Sequence, residues 1–135
     1  MKKHPHSKFQ KFQENGFTLV ELLVVLAVLS LLAGLAASIS VGRVRQSKES
    51  ALKADLRNLR KALDDFAADK GKYPVHLTDL VDARYLREMP KDPITDSDGT
   101  WRPVLSKDPA QPEGIVDVRS GSDERSSEGD LYADW

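Results

Sequence analysis

Gly16-Phe17-Thr18-Leu19-Val20-Glu21 heads a run of twenty residues without charge, Leu22 to Val41. Twelve of the twenty are Leu, Val or Ile, at positions 22–26, 28, 29, 31, 32, 35, 39 and 41. At 1.5 Å per residue the run makes a helix of roughly 30 Å, the thickness of a bilayer's hydrocarbon core. Two features depart from an ordinary span. A carboxylate, Glu21, stands at its head, and a short basic segment ending in glycine precedes it. An acid at the centre of a bilayer costs on the order of 2.5–3.5 kcal/mol, so one that persists there has a partner. At the edge of the run, the plainer reading is a glutamate that snorkels to water.

The residues before the run, Met1 to Gly16, hold Lys2, Lys3, Lys8 and Lys11 against one acid, Glu14, with Pro5 near the start. They show no apolar periodicity and read as a processed or cytoplasmic tail outside the fold. Arg43, Arg45, Lys48 and Lys53 follow the run, so basic residues stand four against four and do not set the topology.

No proline occurs between Phe17 and Lys72. Beyond the apolar run the pattern becomes one-sided: Leu52, Leu56, Leu59, Leu63 and Phe66 recur at helical spacing, and Arg57, Arg60, Lys61, Asp64 and Asp65 take the other faces. The spacing predicts one helix from Phe17 to Lys70, roughly 80 Å long, ended by Gly71 with Pro74 close behind. Gly34, Ser38, Ser40 and Gly42 form its softest part.

A short helix is expected over Thr78–Leu86, with Thr78 as its N-cap. Asp96-Ser97-Asp98-Gly99 predicts a hairpin turn. Thr100–Leu105 and Gly114–Arg119 read as two short strands joined by a loop. Residues 108–135 hold eight acids against Arg119 and Arg125. This tail closes on Leu131, Tyr132 and Trp135, so it is expected to fold back.

The whole chain has 135 residues, net charge −1 and no cysteine. That excludes disulfides, thiolate metal sites and a cysteine nucleophile. His76 is the only histidine after the leader, so no Ser-His-Asp set is available, and no Gly-rich phosphate loop exists. Asp64 and Asp65 are helix neighbours pointing apart and make no acid–base pair. Asp96-Ser97-Asp98-Gly99 imitates part of a calcium loop, but Lys107 stands where its bidentate acid belongs. Tyr73, Tyr85 and Trp101 read as core.

Gly16-Phe17-Thr18-Leu19-Val20-Glu21-Leu22-Leu23 after a Lys-rich leader resembles the prepilin signature of type IV pilins and type II secretion pseudopilins. Asp69-Lys70-Gly71-Lys72-Tyr73-Pro74, Tyr85-Leu86-Arg87-Glu88-Met89-Pro90-Lys91-Asp92-Pro93, Val116 to Asp123 and Trp135 resemble the later segments of the G-type pseudopilin. The likeness extends over nearly all the chain from residue 16.

That resemblance implies a pilin-like α+β fold, a long N-terminal helix packed on a small domain with a short antiparallel sheet. It divides the chain into a leader (1–16), a transmembrane half-helix (17–42), a periplasmic amphipathic half (43–72) and a small α+β part with an acidic loop (73–135). It implies cleavage by prepilin peptidase between Gly16 and Phe17, methylation of Phe17, and Glu21 as the assembly acid. After such a cut, Phe17 is a free amine that would meet a neighbouring subunit's Glu21 in lipid and neutralise both charges.

The implied product is a homo-oligomeric filament in type II secretion, anchored in the bacterial inner membrane with its C-terminal domain in the periplasm. Its partners would be minor pseudopilins, the inner-membrane assembly platform and the peptidase. The chain would be neither an enzyme nor a binder of nucleic acid. Two departures stand out. Ser38 occupies a place where many members carry proline. The family's calcium loop maps onto Ser120, Asp123, Glu128 and Asp130, with loop carbonyls completing the oxygen set, but Leu131 follows Asp130 where a second acid is common. An acidic solvated tail is the competing reading. A pilus or DNA-uptake pilin is the rival within the fold, although an acidic C-terminus disfavours DNA. Outside it, Ala36-Ala37-Ser38 imitates a signal-peptidase site of a secreted binding protein.

Overall fold

A computed structural model describes residues 1–3 and 16–135. The leader reading otherwise falls outside the described residues. The element order is α1 (Leu19–Lys70), α2 (Asp79–Asp82), β1 (Arg102–Leu105), β2 (Ile115–Arg119) and a terminal 3-10 turn (Tyr132–Asp134). This is the pilin-like α+β arrangement. The chain divides into two units, Met1–Ile39 and Ser40–Trp135.

In the first unit, α1 is apolar on every side and none of its apolar window is buried by protein. It is the one helix among the described residues long and apolar enough to cross a membrane. Its serines are satisfied within it: Ser30 Oγ donates to the Leu26 carbonyl at 2.7 Å and Ser38 Oγ to that of Gly34 at 3.3 Å. A hydroxyl in lipid needs such a partner, because no water is there to serve.

In the second unit, one face of α1 supplies half the core. Leu52, Leu56, Leu59, Ala62, Leu63 and Phe66 pack with Leu80, Trp101, Ile115, Val118 and Tyr132. The helix ends as the sequence requires, with Gly71 at φ +73° and its N–H bonded to the Ala67 carbonyl at 2.9 Å. Gln111 then grips the segment that leaves the helix: it accepts from the Tyr73 N–H at 3.0 Å and donates to the Tyr73 carbonyl at 2.5 Å.

The second helix is shorter than its apolar spacing predicts. Thr78 makes no side-chain cap; Asp79 Oδ2 instead accepts from the His76 N–H at 2.9 Å. Arg84 adopts φ +64°, the Tyr85 N–H reaches the Leu80 carbonyl at 2.8 Å, and the Arg84 N–H reaches Val81 at 3.0 Å. That bonding pattern is a Schellman end, with arginine where glycine is usual. Leu86 therefore lies outside the helix, packed against the core.

The two strands pair antiparallel, Arg102 with Arg119 through Leu105 with Ile115, with an irregularity between Val104 and Leu105. Residues 96–99 do not join them. Asp92 bridges Ser97, and Asp96 at φ +55° turns the chain within that small loop. The strand connection is the loop 106–114.

Candidate functional site

At the N-terminal end, Thr18 and Glu21 cap α1 reciprocally. The Glu21 N–H donates to Thr18 Oγ1 at 3.2 Å, and the Thr18 N–H donates to Glu21 Oε2 at 3.4 Å. This is a capping box, which satisfies two helix-end donors that would otherwise face lipid. Its T-x-x-E spacing was readable in the sequence, and the assignment of Glu21 to assembly passed over it. Phe17, Val20, Glu21, Val24 and Val25 line one shallow apolar groove. In the uncut chain the Phe17 nitrogen is an amide, so Glu21 has no ammonium partner there. Gly16 and Phe17 lie ahead of the helix, and Phe17 is 83 % exposed.

A second cluster, which sequence reasoning missed, lies where α1 meets the C-terminal loop. Glu49 is 7 % exposed. It occupies the position one step before Leu52 on the apolar stripe, and that placement is the signal that would have found it. Its Oε1 accepts from the Ser127 N–H and from the Tyr132 hydroxyl, each at 2.7 Å, and its Oε2 accepts from Ser127 Oγ at 2.7 Å. Arg45 lies 3.8 Å from Oε1, and its Nη2 donates to the Arg125 carbonyl. The Ser127 hydroxyl, then Tyr132, the Ser127 amide and Arg45 hold the Glu49 carboxyl below its ordinary range, outweighing the opposing effect of burial. Burial comes first among the causes that push the Tyr132 phenol up.

Asp92, fully buried, organises the neighbouring turn. Oδ1 accepts from the N–H groups of Ile94 (2.9 Å) and Thr95 (3.4 Å); Oδ2 accepts from Ser120 Oγ (2.6 Å) and the Gly121 N–H (3.0 Å). The Pro90 carbonyl receives the Trp101 indole N–H at 2.7 Å. The Pro-Lys-Asp-Pro segment is thus a structural knot between the loop and the end of β2.

Three of the four side chains mapped to calcium are engaged by other protein groups. Ser120 Oγ is committed to Asp92, and Asp123 pairs with Arg102 at 2.9 Å. Asp130 accepts from Ser126 Oγ, and from the Trp135 indole N–H at 2.7 Å; the Ser126 hydroxyl, then the indole, hold its carboxyl below the ordinary aspartate range. Glu128 is exposed, beside Lys53, Arg57 and Trp135. Among the described residues, no three His, Cys, Asp or Glu side chains gather as a metal would need. Calcium takes about 6–8 oxygens; here the side chains of Ser120, Asp123 and Asp130 each face a different protein partner.

Residues 11–37 match the family model of the prokaryotic N-terminal methylation motif. The chain is similar to proteins named type II secretion system core protein G. The protein from Aeromonas hydrophila is 28 % identical, with 93 % of this chain and 95 % of that protein aligned. The protein from Klebsiella pneumoniae is 29 % identical over 91 % and 95 %. A 37 % identical stretch in the Pseudomonas aeruginosa protein aligns with 48 % of this chain and only 46 % of that protein. No solved structure gives a match of comparable strength. A methylation motif at the head of an apolar helix, a small α+β unit and likeness along almost the full length of two core G proteins lead to one conclusion: the chain resembles the type IV pilin-like proteins and, among them, the core G proteins of type II secretion.

Proposed function

We infer that this chain is a structural subunit of a type II secretion pseudopilus, held in the membrane by the apolar part of α1 until it is assembled. The observation that carries the reading is the methylation motif over residues 11–37 at the head of the apolar span. On this reading prepilin peptidase cuts between Gly16 and Phe17, and Phe17 is then methylated. The new amine pairs with Glu21 of an adjacent subunit, which neutralises both charges in lipid and sets the stacking register. The C-terminal unit faces the periplasm of a bacterial inner-membrane protein, and the filament grows from an inner-membrane platform with minor pseudopilins beside it. The subunit is not an enzyme: it acts by assembling, and the filament helps to drive export.

Intact-mass measurement of the mature protein tests this. The expected N-terminus is methylated Phe17; an end at Ile39 or Val41 would instead mean an ordinary signal peptide and would overturn the reading. Gly16→Leu is expected to leave the full precursor, visible as slower gel mobility.

A further inference from the structure

We propose that the C-terminal loop, residues 120–135, is fastened to α1 by protein groups alone, so that its fold does not require a bound cation. Three side chains at helical spacing on α1 do the fastening. Arg45 donates to the Arg125 carbonyl. Glu49 holds both the main chain and the hydroxyl of Ser127, and the hydroxyl of Tyr132. Lys53 stands 4.6 Å from the centre of the Trp135 ring. Successive residues four apart share one helix face, so the three grip the loop at its beginning, middle and end.

A calcium ion in such a loop would act as a cross-link, drawing distant oxygens to one centre. Here each of those cross-links already exists in another form. Asp130 spans Ser126 and Trp135. The Arg125 guanidinium closes on the Gly129 carbonyl at 2.6 Å. Arg102 ties Asp123 and the Gly121 carbonyl, at 2.9 Å and 3.1 Å. Tyr132 lies edge-on to Trp135 with ring centres 5.2 Å apart, which ties the last residue of the loop to the tyrosine that Glu49 holds. Every buried side-chain polar atom among the described residues has a partner. A cation would therefore have to strip satisfied donors from Asp130 or Asp123 before it could collect oxygens. Charge-assisted bonds to a carboxylate are roughly twice as strong as neutral ones and resist that exchange. The inference concerns the folded subunit and stands whether or not that subunit enters a filament.

The test uses the full chain in detergent. Trypsin cutting after Arg125 reports loop opening, because the Arg125 side chain is tied to Gly129 and Ser126 is buried until the loop lifts. Wild type is expected to be cut at one rate, and to melt at one temperature, in calcium chloride and in EGTA. Glu49→Gln is expected to be cut roughly tenfold faster in both solutions, as loss of a charged hydrogen-bond acceptor predicts when cleavage follows local opening. Ser127→Ala, a milder change on the exposed loop, is expected to speed the cut by a smaller factor. Calcium that slows the cut or raises the melting temperature of wild type overturns the proposal without any variant. Glu49→Gln cut at the wild-type rate overturns it equally.

Discussion

At Glu21, two properties of a carboxylate can be separated by substitution. As an acceptor it completes the capping box with Thr18; as a charge it is the group proposed to pair with an ammonium of another subunit. An N-terminal cap contributes about 0.5–2 kcal/mol, whereas an unpaired acid in lipid costs about 2.5–3.5 kcal/mol, so the charge should decide assembly. Glu21→Gln keeps an acceptor at the same helical position, and Glu21→Ala keeps neither property. Both should still be processed at Gly16, and both should lose filament yield by tenfold or more; wild-type filament from Glu21→Gln would leave capping as the whole role of the residue. Glu49 calls for a different measurement. A carboxyl whose folded pKa is depressed contributes stability above its ordinary value and loses it as pH falls through the folded one. Glu49, with its ordinary value of 4.5, and Asp130, at 3.8, are both of this kind. Arg45 and Tyr132 are the titratable groups that face Glu49; Trp135 and Lys53 face Asp130. Asp55 runs the other way: burial first, then the charge of Asp92, push its pKa up, so acid relieves it. Melting temperature should hold from neutral pH to about 5 and fall below that, with a smaller fall in Glu49→Gln; one kcal/mol corresponds to roughly 4–8 °C in a domain of this size. Equal acid sensitivity in the two proteins would remove Glu49 from the account.

The elements divide by how local their causes are. The soluble half of α1 was legible because its burial repeats with the helical period and Gly71 supplies the left-handed residue that ends it. The strands were legible from Ile115, Val116 and Val118, and their observed bounds are shorter by one or two residues at the N-terminal ends. The second helix was not, because Arg84 carries no sequence mark of a left-handed residue; only the pull of Tyr85 and Leu86 into the core explains the turn there. The Asp-Ser-Asp-Gly run announced a turn truly and its position wrongly: Asp92, far from any strand signal, collects that loop onto itself. Gly121 shows how close the packing between β2's end and the residue before Trp101 has become. A Cβ there would stand 2.1 Å from the Thr100 carbonyl oxygen and 2.6 Å from its Cβ. The contact is with backbone, which cannot rotate away. Gly121→Ala should therefore cost on the order of 1–3 kcal/mol by overpacking, read as a lower melting temperature with the membrane-inserted helix unchanged.

Across the whole molecule, the sequence separates its two halves by pattern before any coordinate is known. Uniform apolarity specifies a surface meant for lipid or for other copies of the same helix. One-sided apolarity specifies a surface meant for a core. What that distinction does not disclose is polar pairing at a distance in sequence. Glu49 and Ser127 are 78 positions apart; Asp92 and Ser120 are 28 apart. No periodicity links them, and each looks like an ordinary surface residue until the fold brings its partner. The methylation motif was legible for the opposite reason: all its parts are contiguous.

The capping box has one further consequence. Both of its partners lie downstream of the bond between Gly16 and Phe17, so removal of the leader would leave the start of α1 untouched. The box therefore works as a ruler. It fixes the first helical residue at Leu19 and holds Gly16 and Phe17 out as non-helical chain a constant distance ahead. A peptidase that must draw an extended substrate through its cleft would find the same two residues presented in every copy, and the fresh amine would emerge at the same height above the first helical turn each time.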